Sequence, residues 1–108
     1  MLNLFSSETK AYKSLGGQEF KQEYSKCKHP VLIDVRTAGE FAAGSIMDAK
    51  NIDIMSPDFR KQMSALDKSK EYFLFCRSGH RSAQACSIMA ERGFKVYNLK
   101  GGVNAWPR

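Results

Sequence analysis

The chain is poor in the features that mark specialised proteins. It has three cysteines, Cys27, Cys76 and Cys86, and no CxxC pair. That excludes a disulfide framework, and the odd count suits a reducing compartment. Histidine is scarcer still, with two residues. Neither Cys76 with His80 nor Cys27 with His29 has a second pair at zinc spacing, so no metal site is expected and no cofactor is implied. No apolar run approaches the roughly 20 residues of a membrane span. Residues 1–6 lack the charged-then-apolar pattern of a secretory signal, so a cytoplasmic protein with no membrane role is expected. Repeats, low-complexity tracts and Pro/Ser-rich linkers are absent from its 108 residues, a length that fits one core. Residues 1–10 read as a loose lead-in and residues 11–108 as a single domain. The 17 basic residues are scattered from Lys10 to Arg108 with no stripe interleaved by aromatics, which argues against nucleic acid as a partner. The net charge of +6 is better read as a field that draws small anions.

What the chain does contain is an alternation of apolar runs and amphipathic segments. A short edge strand is expected at residues 11–14. Gly16 and Gly17 then hand over to a helix at 18–25, where Phe20 and Tyr24 share a face. The run Val31-Leu32-Ile33-Asp34-Val35 suits a strand buried on both sides of a parallel sheet. Thr37 with Glu40 three residues later forms a capping-box pattern for a short helix ended by Gly44. A strand at 49–54 follows, then a helix to about Leu66, with Ser56 as cap and Pro57 at its first position. Tyr72-Phe73-Leu74-Phe75 is a strong strand, and a helix from 82 to 92 follows it. A last strand at Lys95–Leu99 and the pair Gly101-Gly102 lead into residues 103–106. Alternating β and α units of this kind imply a parallel sheet with helices on both faces.

The chemistry concentrates at Cys76-Arg77-Ser78-Gly79-His80-Arg81-Ser82, between the strong strand and the long helix. A helix start offers unpaired N–H groups and the positive end of the dipole, and both favour thiolate, the reactive form. Arg77 and Arg81 add permanent positive charge. Gly79 supplies the positive φ that a tightly curled loop requires. Ser78 can donate a hydroxyl hydrogen bond, and Ser82 is expected to cap the helix. In open α/β sheets ligands sit beyond the carboxyl ends of strands, which is where Cys76 falls. The segment reads as a cysteine nucleophile acting on a small anion. No side chain stands out as a general base, and an already ionised thiol needs none; His80 is read as tuning charge or touching substrate. Asp34, Arg36 and Glu40 read as an ion-pair and capping network, with support of the active site as the second reading. Cys86, on the apolar face of the helix, reads as a small buried hydrophobe. Cys27, beside Lys26, Lys28 and His29, reads as an exposed, mildly activated thiol.

These segments resemble, in order and spacing, a single-domain rhodanese. The resemblance is carried by Val31-Leu32-Ile33-Asp34-Val35-Arg36, Glu40-Phe41, Gly44-Ser45-Ile46, Asn51-Ile52, the loop 76–82 and Gly101-Gly102-Val103-Asn104-Ala105-Trp106. It implies an α/β fold with a central parallel five-stranded sheet flanked by helices on both faces. It also implies a sulfurtransferase cycle with Cys76 as the persulfide-forming nucleophile and Arg77, Ser78, Gly79, His80 and Arg81 as its cradle. The implied partners are a thiosulfate-like anionic donor and a thiol or cyanide acceptor, with a protein sulfur donor or acceptor as a further possibility. Arg77 and Arg81 would hold the sulfonate end of thiosulfate. The family pattern has Gly-His-Ile where this chain has Gly44-Ser45-Ile46, a departure that bears on local packing more than on catalysis. A cysteine phosphatase or arsenate reductase of the same fold would need Cys-x5-Arg, and position 82 is serine. A persulfide carrier or protein-interaction module without small-molecule turnover is the other alternative.

Overall fold

The computed structural model describes residues 11–107. The lead-in expected at residues 1–10 lies outside them. Five strands form one parallel sheet: β1 (Lys13–Leu15), β2 (Pro30–Asp34), β3 (Lys50–Asn51), β4 (Glu71–Phe75) and β5 (Lys95–Leu99). Their order across it is β1-β5-β4-β2-β3. The helices α1 (Gly17–Lys26), α2 (Ala38–Ala42), α3 (Phe59–Ser64) and α4 (His80–Glu91) alternate with them, and a 3₁₀ turn follows at Gly102–Ala105.

Side-chain alternation along the strands divides the core in two. On one face Ile33, Leu74 and Val96 meet Phe59 and Met63 of α3 and Ala85, Cys86 and Met89 of α4. On the other, Leu32, Phe73, Phe75, Tyr97 and Leu99 meet Phe20 and Tyr24 of α1, and Trp106. Phe73 anchors that second face, stacked on Tyr97 with ring centroids 4.5 Å apart and met edge-on by Phe20 and Tyr24. Its full burial contributes about 2–3 kcal/mol on area alone. Helices therefore cover both faces, which is why β2 and β4 read as continuous apolar runs rather than alternating ones.

Two expected elements come out differently. The strand foreseen at 49–54 is only Lys50–Asn51. The Asn51 side chain donates instead to the carbonyls of Asp34 and Arg36, and pins the chain that leaves β2. The third helix is not capped by Ser56, and Pro57 is not its first residue. Ser56 forms a separate turn, accepting from the amides of Asp58 and Phe59, and the helix starts at Phe59.

From β2 the chain moves outward to β3, and from the neighbouring β4 it moves the other way to β5. Diverging connections open a crevice beyond the carboxyl ends of β2 and β4. The segments at its two sides are Val35-Arg36-Thr37 and Cys76-Arg77-Ser78-Gly79.

Candidate active site

Cys76 follows the last residue of β4, and its sulfur is turned inward. The Gly79 amide donates to Cys76 Sγ at 3.0 Å, and the Ser82 amide and hydroxyl approach it at 3.4 Å each. Gly79 reaches this position with φ 103°, as a positive-φ glycine was expected to do. Burial pushes the Cys76 thiol up; the Ser82 hydroxyl and the amides of Ser82, Gly79 and Ser78 more than offset this, and its pKa falls below the ordinary value. These amides favour the anion because they are fixed before any charge appears.

Ser82 is not the helix cap. Helix α4 begins at His80, with Gly79 left-handed at the cap, so Ser82 lies inside the first turn, fully buried. Its hydroxyl serves the sulfur and Asn98 rather than the helix end.

The loop is braced from behind by the turn after β5. Val103 donates its amide to the Cys76 carbonyl at 2.9 Å. Gly102 lies so close that a Cβ there would overlap the Arg77 carbonyl and the Ser78 amide. Only glycine fits, and its φ of 76° is the left-handed region as well.

The opposite wall comes from β2 and α2. Thr37 and Glu40 form the expected capping box, each side chain accepting from the other's backbone amide. Glu40 does more than cap: Arg81 grips it with two hydrogen bonds, 2.8 Å to Oε1 and 3.1 Å to Oε2. Arg81 foremost, then the Thr37 amide, lowers the Glu40 pKa to about 2. Arg81, expected to meet an anionic substrate, joins α2 to the first turn of α4 through Glu40 and keeps its side chain 28% exposed. Asp34, fully buried, accepts from the amide, Nε and Nη2 of Arg36 and from Ser45 Oγ at 2.8 Å. A buried carboxylate needs such partners, and removing one from a pair like this costs about 3–5 kcal/mol. Ser45 thus stands where the family pattern has histidine and still ties its turn to the buried acid.

Arg77, Ser78 and His80 are exposed at the rim. A cleft of about 590 Å³ lies along the Arg36 side, lined by Arg36, Ser45, Ile46, Met47, Val103 and Trp106. Met47 is 65% exposed there and holds φ 45°, an unusual backbone for a non-glycine residue. Cys86 is buried among apolar side chains and its thiol is pushed up, first by burial. Cys27 corrects its reading. It is half-buried at the end of α1, packed against the second core face, and burial raises its pKa despite the nearby bases.

Two participants had no place in the sequence reading. Asn98 of β5 accepts from Ser82 Oγ at 2.5 Å and donates to Ser14 Oγ of β1 at 3.0 Å. The available signal was a polar residue inside the buried run Val96-Tyr97-Asn98-Leu99.

A doubly wound parallel sheet with an amide-lined cysteine loop at its switch point defines the class: an α/β domain built around an anion-stabilised thiol. The chain belongs to the rhodanese-like domain family, whose model matches residues 17–108. It is 39% identical over 94 residues to a Bacillus subtilis (strain 168) protein provisionally named sulfurtransferase YtwF, covering 87% of this chain and 89% of that one. Against a sulfurtransferase of Allochromatium vinosum the identity is 35% over 95 residues, with 87% of each chain covered. A solved structure of a rhodanese-like domain protein from Staphylococcus aureus superposes with a TM-score of 0.75 at 30% identity, over 88% of this chain and 91% of that one.

Proposed function

We propose that this chain is a sulfurtransferase that carries a sulfane sulfur on Cys76, taking it from thiosulfate or a persulfide donor and passing it to a thiol or cyanide. The observation that carries this reading is the convergence of the Gly79 and Ser82 amides and the Ser82 hydroxyl on Cys76 Sγ. The Cys76 thiolate attacks the outer sulfur of the donor. A new S–S bond forms, and the old one breaks with its electron pair leaving on sulfite from thiosulfate or on a thiolate from a persulfide. The negative charge then rests on the terminal persulfide sulfur, where the fixed Gly79 and Ser82 amides stabilise it. An acceptor thiolate or cyanide attacks that sulfur and returns Cys76 as thiolate, so no general base is required.

A role for Arg77 in meeting the sulfonate end of a donor is supported by its exposure and permanent charge, and His80 is exposed as well. Arg81 acts through its pair with Glu40, holding the loop and adding charge at short range. Cys76 has no exposed surface, so the rim must yield before a donor reaches the sulfur. The phosphatase alternative gains no support. Three residues separate Cys76 from α4, and serine stands at position 82, where the phosphate-clasping arginine of that pattern would fall. A cytoplasmic setting fits the three unpaired thiols, and among the described residues no helix is long and apolar enough to cross a membrane.

The test is an intact mass spectrum after incubation with thiosulfate and removal of excess donor, beside the Cys76→Ser variant. One added sulfur on the parent alone is the expected result. No adduct on a folded parent with a titratable Cys76 would overturn turnover of thiosulfate and favour a carrier fed by a protein persulfide.

A further inference from the structure

The Ser82 hydroxyl has one hydrogen and two claimants, Asn98 Oδ1 at 2.5 Å and Cys76 Sγ at 3.4 Å. Beyond Asn98 the chain of contacts continues to Ser14 Oγ at 3.0 Å. Ser82 and Asn98 are buried, at 0% and 3% exposed, so bulk water does not compete for these bonds. With the amide oxygen facing Ser82, the hydroxyl hydrogen belongs to Asn98. Cys76 can then donate its own S–H to Ser82 Oγ, and every link points outward toward Ser14. This arrangement fits a thiol and leaves an anion short of a donor.

A half-turn of the amide reverses each link with the heavy atoms almost unmoved. Ser14 then donates to Oδ1, Nδ2 donates to Ser82 Oγ, and the Ser82 hydrogen is released to the sulfur. The other groups around Cys76 cannot reverse. From α4 come Arg81, bound to Glu40 of α2, and the Cys86 thiol. Arg77 and His80 stand on the rim, and the Asp34–Arg36 pair lies at the end of β2. From β1 and β5 come Ser14, Asn98 and their neighbours, Lys13 exposed and Tyr97 turned to Glu71.

We propose that Asn98 is a positioning residue of the sulfur-transfer site: its amide turns between Ser14 and Ser82 as Cys76 ionises, and so delivers the Ser82 hydrogen to the sulfur anion. The proposal rests on Cys76 being the reacting thiol, and its test uses alkylation, which needs no sulfur donor. Asn98→Asp keeps the shape but offers only oxygens to Ser82. In that variant the pH midpoint of Cys76 alkylation by iodoacetamide should rise by about one unit, a roughly tenfold slower reaction between the two midpoints. In a Ser82→Ala background the same substitution should shift it far less, because the hydrogen in dispute is gone. A shift of equal size in both backgrounds would mean charge alone and would overturn the proposal, as would no shift in the folded variant. The unmodified protein gives a second reading that needs no variant to fold. As pH rises through the Cys76 midpoint, Overhauser contacts of the Asn98 side-chain amide hydrogens should move from the Ser14 to the Ser82 methylene. An amide that keeps its Ser14 contacts throughout would overturn the turning.

Discussion

Cys76 and Cys86 are equally withdrawn from solvent, both at 0% exposure, and both belong to the same core face. Their thiols nevertheless move in opposite directions: Cys76 falls below the ordinary value and Cys86 is pushed up. Nine residues of loop and helix separate two environments that differ in the hydrogen-bond donors they offer, amides and the Ser82 hydroxyl at Cys76 and none of these at Cys86. Cys76 ends a strand where amides have no other partner, whereas Cys86 sits mid-helix where every amide is already spent on the ladder. Burial alone makes a thiol inert, and burial among unspent donors makes it an anion site. The contrast also fixes how each thiol couples to folding. Cys76, depressed in the folded state, adds stability that is complete above about pH 9 and is lost as pH falls through its folded value. Cys86, raised in the folded state, does the opposite: its contribution is complete below about pH 9 and is lost as pH climbs beyond.

The contrast is most severely broken from behind the loop. Gly102→Ala places a methyl group in the Arg77 carbonyl and strains a left-handed backbone, so it should cost about 2–4 kcal/mol. Urea denaturation measures that loss, and alkylation of the remaining folded protein should show Cys76 drifting toward an ordinary thiol. A smaller effect is expected at the front. Ser82→Ala removes a donor to the anion and should raise the Cys76 midpoint by about one unit, read from alkylation rate against pH. An unchanged midpoint would leave the amides as the whole cause of the depression. The least effect is expected at the other cysteine. Cys86→Ala leaves a small gap worth about 1 kcal/mol, leaves the Cys76 profile where it was, and removes part of the stability lost above about pH 9. Thermal unfolding at pH 7 and pH 10 separates these outcomes.

What was legible in the sequence is what depends on neighbours along the chain. The apolar runs of β2 and β4, the Thr37–Glu40 box and the left-handed Gly79 are all set within a few residues, and each is where the pattern placed it. What was not legible depends on partners across space. Glu40 lies 41 residues before Arg81, and nothing local says that the two will pair. Ser82 was read as a cap because serine before an apolar helical stripe usually is one. The left-handed Gly79 starts the helix two residues earlier and turns the hydroxyl inward. The reading of Cys27 fails for a related reason: what acts on it most is burial against the second core face, with Glu71 of β4 raising its pKa further, and neither is visible in its basic neighbours along the chain.

The contacts that brace the loop and orient its donors are long-range ones. Val103 holds the Cys76 carbonyl from the far side of β5, and the Ser14–Asn98 link spans 84 residues. Before those segments dock, the loop has no scaffold, and Cys76 is an ordinary cysteine of modest nucleophilicity. The depressed thiol pKa therefore belongs to the assembled fold rather than to the loop sequence, and a change that loosens β1, β5 or the turn after it should return Cys76 toward an ordinary thiol.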